Sequence, residues 1–440
     1  MSTIFAPITS EISGSIIIIR ISGPDAKKIF EIFSIKKNIK PRVSYHTDFI
    51  YQDEIIDNGI FTFFKGPFSF TGEDVIELSI HGSNVILNKF LNILTNLEGF
   101  RYAEAGEFSK RAFVNGKIDL LQAEAINDLV KSKTELQSKQ ALQQLKGNTS
   151  DIYNNWRNIL IELLAIIEAY IDFPDDDIDQ FLSEDINDKV DFIKNDIKIF
   201  LKSNEHGCKI SEGIKVALIG QTNVGKSSLI NELAGRDVAI VSDIAGTTRD
   251  VIDVNLDLKG IAVTISDTAG IRKTDDKIEK IGIDKAIITI DNSDLRILLI
   301  DGSQAYQEDI YLEQKLDNND IIIFSKSDIL LPANEEIIKK NNFHAISTKS
   351  KTGLDNLIET ILINIKNKFN FDSGFAISKT RHINEINLIL QHLDNFDIND
   401  DLIIACENLR LAAHALSRIT GKIDIEDILD KIFQEFCIGK

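Results

Sequence analysis

Apolar and polar residues alternate along residues 212–370 in a way that predicts strands separated by helices. Short runs of Ile, Leu, Val and Phe have the length of buried strands, and helical patterns lie between them. The predicted strands are 214–219, 251–257, 261–266, 294–300, 320–325 and 343–346. A core stripe at helical spacing closes this region, at Leu354, Leu357, Ile358, Ile361, Leu362 and Ile365. We therefore expect an α/β unit with a mostly parallel sheet that is covered on both faces.

The flanking regions have other patterns. Residues 1 to about 115 alternate short apolar runs with turn signals, which predicts an α+β domain. Helical patterning dominates 118–205 and returns in 376–436, whereas the acidic segment 172–185 is predicted to be a loop. One helix face carries Trp156, Leu160, Leu163, Leu164, Ile167 and Ile171. The chain is thus predicted to be multidomain, with boundaries at 1–117, 118–210, 211–370 and 371–440, and with the α/β unit inserted in an all-α region.

Composition limits the class of protein. The chain has 440 residues and a formal net charge of −19, which argues against broad, non-specific nucleic-acid binding. Its apolar runs have strand length, so we expect no membrane span, and the N-terminus lacks the pattern of a signal peptide. The three cysteines, Cys208, Cys406 and Cys437, are far apart, which argues against a disulfide framework. These features indicate the reducing cytoplasm.

The segment from Gly220 to Ser228 reads GQTNVGKSS and fits the phosphate-binding pattern GxxxxGK[ST]. A predicted strand precedes it and a predicted helix follows it, which is the context that such a loop needs. Its glycines allow backbone N–H groups to surround a polyphosphate at a helix N-terminus. Lys226 is expected to reach the β- and γ-phosphates, and the Ser227 hydroxyl to hold Mg²⁺.

Two further segments match the nucleotide chemistry. Asp267-Thr268-Ala269-Gly270 follows a predicted strand about 40 residues after the phosphate loop. Asp267 is expected to bind Mg²⁺ through water, and the Gly270 N–H to meet the γ-phosphate. Gly246-Thr247-Thr248 lies between the first helix and the second strand, and Thr248 is the expected Mg²⁺ ligand of a switch loop, with turn formation as the alternative.

The base-reading segment is Ser325-Lys326-Ser327-Asp328, which follows a predicted strand. Asp328 is placed to accept the guanine N1–H and 2-amino groups, and Lys326 to stack over the base. Serine stands at position 325 where the usual NKxD motif has asparagine, so we expect weaker guanine affinity. Adenine would leave Asp328 unpaired, which favours GTP over ATP. Ser347, Thr348 and Lys349 form the second predicted base-edge loop.

The residue that orients the attacking water is not fixed by spacing. Ile271 occupies the place where Ras-type enzymes have a water-orienting Gln. Acidic candidates nearby are Asp275, Asp276 and Glu279. Arg249 and Arg272 are candidate arginine fingers, although solvated side chains are the stronger interpretation. A monovalent cation is a further source of positive charge, with Asn223 and the carbonyls of Ser242 and Ile244 as oxygen donors.

The motifs together resemble those of the MnmE family of tRNA-modification GTPases, also called TrmE. The resemblance extends outside the α/β unit, to FSFTGEDVIEL at 68–78, EAGEFSKRAFVNGKIDL at 104–120, QAEAI at 122–126 and the C-terminal FCIGK at 436–440. It therefore covers nearly the whole chain. Residues 7–15 depart from the family because they lack its glycine-rich turn, which puts the local folate-loop geometry in question.

The resemblance implies an N-terminal folate-binding domain that forms a homodimer, a helical domain, and an inserted Ras-like P-loop GTPase domain. It also implies a cytoplasmic enzyme that works with the flavoprotein MnmG. Together they add an aminomethyl or carboxymethylaminomethyl group to carbon 5 of the tRNA wobble uridine. The bridging carbon comes from 5,10-methylene- or 5-formyl-tetrahydrofolate, and the GTPase domains pair across the nucleotide when K⁺ binds.

Residue roles follow from the same resemblance. It implies K⁺ ligands at Asn223, Ser242, Ile244 and Thr247, Mg²⁺ ligands at Ser227 and Thr248, and Glu279 as the residue that activates water. It implies folate contacts at Arg20, Glu77, Lys117 and Lys440, while Cys437 is a candidate nucleophile or a small residue that packs the tail. The full predicted GTP-binding set is Asn223, Val224, Gly225, Lys226, Ser227, Ser228, Ser242, Asp243, Ile244, Ala245, Gly246, Thr247, Thr248, Asp267, Thr268, Ala269, Gly270, Ser325, Lys326, Asp328, Ser347, Thr348 and Lys349.

Two alternative functions stay open at this point. One is a ribosome-assembly GTPase that uses the nucleotide as a switch for binding RNA. Such proteins usually carry an RNA module, whereas the C-terminal 65 residues here are helical by pattern and net acidic. The other is a non-enzymatic scaffold whose GTPase domains dimerise to organise a partner. GTP turnover with and without K⁺ separates these alternatives from the catalytic interpretation.

Overall fold

The computed structural model describes residues 2–9, 14–35, 38–172, 180–236, 238–239, 253–267, 288–306, 316–317, 319–369, 371, 376–398, 401–421 and 439. The chain divides into two compact units, one of residues 1–127, 145–179 and 391–440, and the other of residues 128–144 and 180–390. These units do not test the predicted domain boundaries, because each unit joins segments from more than one predicted domain. Among the helices that the structure describes, none has both the length and the apolar character of a membrane span.

The first unit contains a six-stranded sheet in the order β3-β4-β5-β2-β1-β6. Neighbouring strands are antiparallel except for the parallel pair β1 and β6. The strands are β1 (Thr3–Pro7), β2 (Ile16–Ser22), β3 (Ser44–Tyr51), β4 (Glu54–Phe64), β5 (Val75–His81) and β6 (Phe100–Tyr102). The α+β pattern predicted for the N-terminal region is thus confirmed.

Alternation along β2 separates the two faces of this sheet. Ile17, Ile19 and Ile21 are buried on one face, in the core formed with α1 (Lys28–Ile32) and α2 (Asn84–Thr95). Arg20 and Ser22 alternate with them, so they lie on the opposite face. A smaller apolar cluster of Ile4, Ala6, Ala103 and Phe108, with Phe70 packed against it, involves α3 (Glu107–Val114). This small cluster lies apart from the main core of the unit.

Helices complete the first unit. They are α4 (Leu120–Lys131), whose last residues belong to the second unit, α6 (Asn148–Asp172) and α13 (Leu402–Thr420). The predicted apolar face of α6 is confirmed at Trp156, Leu160, Leu163 and Ile167, which are all fully buried. Helix α6 packs along α13 within this unit. The helical interpretation of these segments is therefore confirmed.

The second unit contains a six-stranded sheet in the order β12-β11-β10-β7-β9-β8. All neighbours are parallel except β8 and β9. The strands are β7 (Ile214–Ile219), β8 (Asp253–Leu258), β9 (Ile261–Asp267), β10 (Leu295–Asp301), β11 (Ile321–Ser325) and β12 (His344–Ala345). These bounds confirm the six predicted strands to within two residues at each end.

The helices of the second unit are α5 (Glu135–Leu145), α7 (Gln180–Ser203), α8 (Gly207–Glu212), α9 (Lys226–Ala234), α10 (Pro332–Asn341), α11 (Leu354–Lys368) and α12 (Thr380–Asp394), whose last residues belong to the first unit. The predicted core stripe of α11 is confirmed, because Leu354, Leu357, Ile361, Leu362 and Ile365 are buried and Ile358 packs against them.

The acidic loop predicted for 172–185 is wrong over its last residues, because α7 begins at Gln180. An apolar stripe explains the helix, since Ile186, Val190, Ile193 and Ile197 are buried at helical spacing. Asp185 also forms an ion pair with Lys189 one turn later in the helix, at 3.2 Å, a spacing that stabilises helices. A run of carboxylates therefore did not exclude a helix.

Candidate functional site

The phosphate loop connects the buried strand β7 to α9, at the point where the strand order of the sheet reverses. Its backbone requires glycine at one end, because Gly220 has φ +153° and a Cβ there would lie 2.5 Å from the Leu299 carbonyl oxygen. Gly225 has φ +103°, which also favours glycine, and Asn223 adopts a left-handed φ of 65°. The motif glycines thus form a tight turn that opens directly into a helix N-terminus.

Lys226 is buried inside this turn, with 6% of its surface exposed. Its Nζ donates to the carbonyl oxygens of Gly220 at 2.8 Å and Gln221 at 2.9 Å. Burial lowers the pKa of the Lys226 ammonium below its ordinary value, and the Asp267 carboxylate offsets part of this lowering. The loop therefore holds a cation in place where a polyphosphate would meet it.

Ser227 and Asp267 meet at the mouth of the loop. The Ser227 hydroxyl donates to Asp267 Oδ2 at 2.9 Å. Asp267 Oδ1 is buried, and it finds no hydrogen-bond partner within the part of the chain that the structure describes. A buried carboxylate oxygen beside a hydroxyl is a donor set that suits Mg²⁺, which binds oxygen ligands and keeps several waters. The two predicted magnesium contacts thus lie together.

The base loop begins at Ser325, whose side chain does not point toward open space. It is 5% exposed, and its hydroxyl lies 2.6 Å from the Val224 carbonyl oxygen and 3.0 Å from that of Ile300. A hydroxyl has one proton, so it donates to one of these oxygens at a time. Ser325 therefore links the base loop to the phosphate loop and to the end of β10.

Lys326 is held by Asp301, a residue that was not predicted from the sequence. Its backbone has a left-handed φ of 55°, and its Nζ donates to Asp301 Oδ2 at 2.6 Å. Burial opposes charge on Asp301, but hydrogen bonds from Lys326 and Ser303 outweigh it and place the pKa of this carboxyl below its ordinary value. The available signal was the position of Asp301 at the carboxyl end of a predicted strand.

Asp328 lies in a short 3₁₀ turn, Ser327–Ile329, and contacts the second base-edge loop. The Ser347 hydroxyl donates to Asp328 Oδ1 at 2.7 Å, and this bond, with a smaller contribution from the charge of Lys349, lowers the pKa of Asp328. Ser347 is buried, whereas Lys349 is exposed and Thr348 is half-buried. The two segments predicted to read the base are therefore in contact and present an ionised carboxylate.

Several predicted residues lie outside the described residues. They are Ser242, Asp243, Ile244, Ala245, Gly246, Thr247, Thr248, Arg249, Thr268, Ala269, Gly270, Arg272, Asp275, Asp276, Glu279, Cys437 and Lys440. Their roles stay predictions. The described part of the predicted nucleotide site comprises the phosphate loop, Asp267 and the two base loops, and hydrogen bonds at Ser227 and Ser325 connect these parts.

The first unit brings together two residues of the predicted folate site. Arg20 on β2 faces Glu77 on β5 across the sheet, and Arg20 Nε and Nη2 lie 2.9 and 2.8 Å from Glu77 Oε1. The Arg20 guanidinium lies 5.3 Å from the ring centre of Phe70 and 5.6 Å from that of Phe108. Both charged side chains are only about a fifth exposed, at 19% and 24%. They therefore form a paired, partly enclosed polar site.

Of the remaining predicted folate residues, Lys117 lies at the margin of this site, and Lys440 lies outside the described residues. Lys117 is exposed, and its Cγ and Cδ would lie 3.4 Å from a Cβ at Gly72, in the loop that carries Phe70. Gly439 precedes the predicted folate residue Lys440 and has φ +101°. A Cβ on Gly439 would lie 2.5 Å from the Pro7 carbonyl oxygen, so Gly439 lies close to the end of β1. Ala6 of β1 is the cross-strand neighbour of Arg20.

Taken together, the turn around Lys226, the Ser227–Asp267 contact and the two base loops define a P-loop nucleotide-binding protein of the GTPase class. Two family models match the chain, "MnmE helical domain" over residues 120–437 and "GTP-binding protein TrmE N-terminus" over residues 3–117. The chain belongs to the MnmE family, also called TrmE. The predicted architecture of an N-terminal domain, a helical domain and a P-loop GTPase domain is thereby confirmed.

Similar proteins agree over the full length. The chain is 40% identical over 447 residues to a "tRNA modification GTPase MnmE" of Rickettsia typhi (strain ATCC VR-144 / Wilmington), with 100% of both chains covered. It is 39% identical over 448 residues to that of Rickettsia prowazekii (strain Madrid E), again with 100% of both covered.

Solved structures also match part of the chain. An Aquifex aeolicus Era variant bound to GDP and AlF4⁻ is 25% identical, with 42% of this chain and 68% of that chain covered and a TM-score of 0.29. The GTPase domain of the Thermotoga maritima FeoB transporter is 27% identical, with 34% and 98% covered and a TM-score of 0.27.

Proposed function

We propose that this chain is a GTPase that acts in tRNA modification. The observation that carries the proposal is the joined geometry of the two halves of the nucleotide site. A buried lysine lies in the phosphate loop, a carboxylate lies in the base loop, and Ser325 links the loops through the Val224 carbonyl. The names of the full-length relatives supply the tRNA part of the proposal.

Asp328 supports guanine as the base. Its carboxylate is ionised and held by Ser347, so that Oδ2 keeps its acceptor capacity for a donor edge. Guanine offers two N–H donors on one edge, whereas adenine offers none in that arrangement. Lys326 is ordered by Asp301, and we propose that its side chain covers the face of the base.

For hydrolysis, we propose that Ser227 and Thr248 bind Mg²⁺, which neutralises charge on the phosphates. Lys226 then stabilises the charge that develops at the β–γ bridge. Glu279 orients the attacking water. K⁺ is bound by Asn223, Ser242, Ile244 and Thr247. When two GTPase domains pair, it supplies the positive charge that an arginine finger would otherwise supply. Asn223 is exposed on the phosphate loop, which leaves its amide oxygen accessible to an ion.

For the modification chemistry, we propose that the site at Arg20 and Glu77 binds a tetrahydrofolate, either 5,10-methylene or 5-formyl. A carboxylate pairs with the N–H edge of a pterin, and arginine and lysine suit the glutamate carboxylates of folate. Lys117 and Lys440 complete this set, and the position of Gly439 beside β1 supports a role for the C-terminal tail. The product is the wobble uridine modified at carbon 5, formed with MnmG by a homodimer joined through N-terminal domains in the cytoplasm.

The hydrolysis proposal is tested by GTP turnover with K⁺ and with Na⁺ as the only alkali cation. We expect K⁺ to raise turnover and Glu279→Ala to lower it by about 100-fold, as loss of a water-orienting group does. Asp275→Ala, four residues earlier, is the matched control and should keep wild-type turnover. Equal rates in the two salts, with no loss in Glu279→Ala, would contradict the catalytic assignment.

The substrate is tested by nucleoside analysis of tRNA from a strain that lacks this protein. We expect the wobble uridines to lose the carbon-5 group, and a plasmid copy of the wild-type chain to restore it. Unmodified uridine that persists despite the wild-type copy would argue for an indirect effect. If tRNA modification were normal in the deletion strain, the proposed role in tRNA modification would be wrong, and the chain would be a GTPase with another function.

A further inference from the structure

The loop between β4 and β5, residues 65–74, places an aromatic ring over the candidate folate site. We call it the Phe70 loop. The Phe70 ring centre lies 5.3 Å from the Arg20 guanidinium, a distance at which a cation and an aromatic face attract. Whatever binds beside Arg20 therefore meets a surface whose shape depends on the position of this loop.

Glu73 connects the Phe70 loop to two other elements. Arg111 Nη1 on α3 donates to the two carboxylate oxygens of Glu73 at 3.1 and 3.0 Å. The Ser22 hydroxyl on β2 donates to Glu73 Oε2 at 2.7 Å. Ser22 lies two residues after Arg20 and on the same face of β2. Glu73 therefore fixes the loop both to the helix and to the strand that carries Arg20.

Arg111 is itself held in a fixed position. Its Nε and Nη2 lie 3.2 and 2.9 Å from Glu107 Oε1, and Nη2 also lies 2.9 Å from the Ser2 carbonyl oxygen. Arg101 donates to both oxygens of Glu107, at 2.7 and 2.6 Å. The side chains of Arg111, Glu73 and Glu107 are only 11%, 13% and 10% exposed, so water screens these charges little. The loop is thus anchored by a network of largely buried, hydrogen-bonded charges.

We propose that Glu73 and Arg111 are a positioning pair that holds the Phe70 loop over Arg20 and thereby sets the affinity of this site for folate. This inference rests on the proposed folate site and adds residues outside the predicted contact set of Arg20, Glu77, Lys117 and Lys440. It also gives a role to the segments around 68–78 and 104–120, whose charged residues the nucleotide site does not use. Neither member of the pair is assigned a contact with the ligand.

The test is a double-mutant cycle on the full-length protein, with 5-formyl-tetrahydrofolate binding measured by calorimetry. We expect Glu73→Ala and Phe70→Ala each to weaken binding by roughly tenfold, a size typical of coupled neighbours. The double variant should bind about as well as Phe70→Ala alone, because the ring that Glu73 positions is then absent. Additive losses would overturn the inference, since they would show that Glu73 acts without the Phe70 loop.

A control at the same loop separates this effect from a general loss of charge. Lys27 forms a pair with Asp74 at 2.8 Å, but its side chain is 52% exposed. Lys27→Met should therefore keep folate affinity within about twofold, as expected for a surface ion pair. GTP turnover should be unchanged in Glu73→Ala, which shows that the second unit is still folded. A loss in Lys27→Met as large as that in Glu73→Ala would contradict the specific role of Glu73.

Amide hydrogen exchange provides a measurement that needs no ligand. The Phe68 amide donates to the Lys65 carbonyl oxygen at 3.0 Å inside the loop. Exchange of peptides that cover 65–74 should be faster in Glu73→Ala than in wild type, and unchanged in Lys27→Met. If wild type fails to bind the folate, the folate part of the proposed function is wrong, and exchange still decides whether Glu73 positions the loop. Unchanged exchange in Glu73→Ala would overturn that role.

Discussion

The nucleotide site and the site at Arg20 and Glu77, which we propose to be a folate site, are built in different ways. At the nucleotide site, the chemical groups follow the ends of neighbouring parallel strands, and each short motif supplies backbone and side-chain groups together. At the folate site, Arg20 and Glu77 come from different strands, and their enclosure depends on a loop and a helix that contact them through side chains. Local sequence motifs therefore specify the nucleotide site, whereas charge pairs that form only in the folded chain specify the folate site.

The strongest way to test this separation is to remove one cation from each site. Lys226→Ala should lower GTP turnover by at least about 100-fold, because the buried ammonium is lost at the point where phosphate charge develops. It should leave 5-formyl-tetrahydrofolate binding unchanged. Arg20→Ala should do the reverse, with weaker folate binding and normal turnover. Turnover assays and calorimetry on both variants check the prediction.

Lys215→Ala is the matched control for the nucleotide site, since Lys215 lies exposed on the same strand that leads into the phosphate loop. It should keep wild-type turnover. If Lys226→Ala hydrolysed GTP normally, the assignment of the phosphate loop would be wrong. If either variant lowered both GTP turnover and folate binding, the two sites would not be independent of each other.

The same contrast explains how much the sequence predicted. The strands, the apolar stripe of α11 and the positions of Lys226, Ser227, Asp267 and Asp328 follow from periodicity and from a strand-loop-helix order, which are local properties. The partners of these residues were harder to predict. Nothing local indicates that Ser325 contacts Val224, about 100 positions away in the chain, because such contacts exist only after the sheet has formed.

At the folate site, the sequence offered less. Arg20 and Glu77 were named through family resemblance, and their pairing follows from a strand register that spacing does not reveal. Glu73 and Arg111 lie in the segments 68–78 and 104–120 that carry the family resemblance, but the sequence predicts no role for them. Their interaction joins positions 38 residues apart in the chain. In a sequence, charged residues of a motif are equally consistent with exposed surface positions. Only the tertiary structure shows that Glu73 and Arg111 are largely buried.

Base selection tests whether the nucleotide site depends on a few local groups. Asp328→Asn should lower GTP affinity by about 100-fold and raise the preference for XTP, because an amide donates where the carboxylate accepted. Ser347 can still donate to the remaining oxygen, so the loop should keep its shape. Competition binding with GTP and XTP measures the change. Glu336→Gln, at an exposed position of α10, is the control, and an unchanged preference in Asp328→Asn would contradict the proposed base contact.

The link between the two nucleotide loops tests the one long-range feature of that site. Ser325→Ala removes a buried hydroxyl and leaves the Val224 and Ile300 carbonyls without this donor, which costs about 1–3 kcal/mol. We expect GDP to dissociate roughly tenfold faster, as measured by stopped-flow fluorescence of a labelled nucleotide. Ser327→Ala is a matched control two residues away, because the hydrogen bond between the Ser327 and Thr352 hydroxyls is exposed and long, at 3.3 Å. Equal dissociation rates in the two variants would show that the link is unimportant.

The smallest expected effect is a pH dependence of the charge network beside the folate site. Burial opposes charge on Glu107, but hydrogen bonds from Arg101, the Glu104 amide and Arg111 outweigh it, so its folded-state pKa lies below the ordinary value of 4.5. The unfolded chain therefore takes up this proton first as the pH falls. The stability that Glu107 contributes is complete above pH 4.5 and is lost as the pH falls through its folded-state pKa.

We therefore expect the difference in unfolding free energy between wild type and Glu107→Gln to stay constant from neutral pH down to about pH 5 and to shrink as the pH falls from about 5 to about 3. Trp156 is the single tryptophan of the chain and is fully buried in the first unit, so its fluorescence reports unfolding of the unit that contains this network. Glu104→Gln should differ little from wild type at either pH, because the Glu104 side chain is exposed. If the difference for Glu107→Gln stayed constant across this range, the arginine partners of Glu107 would not lower the pKa of its carboxyl in the folded state. The view that the folate site rests on buried charge pairs, unlike the nucleotide site, would then lose its main support.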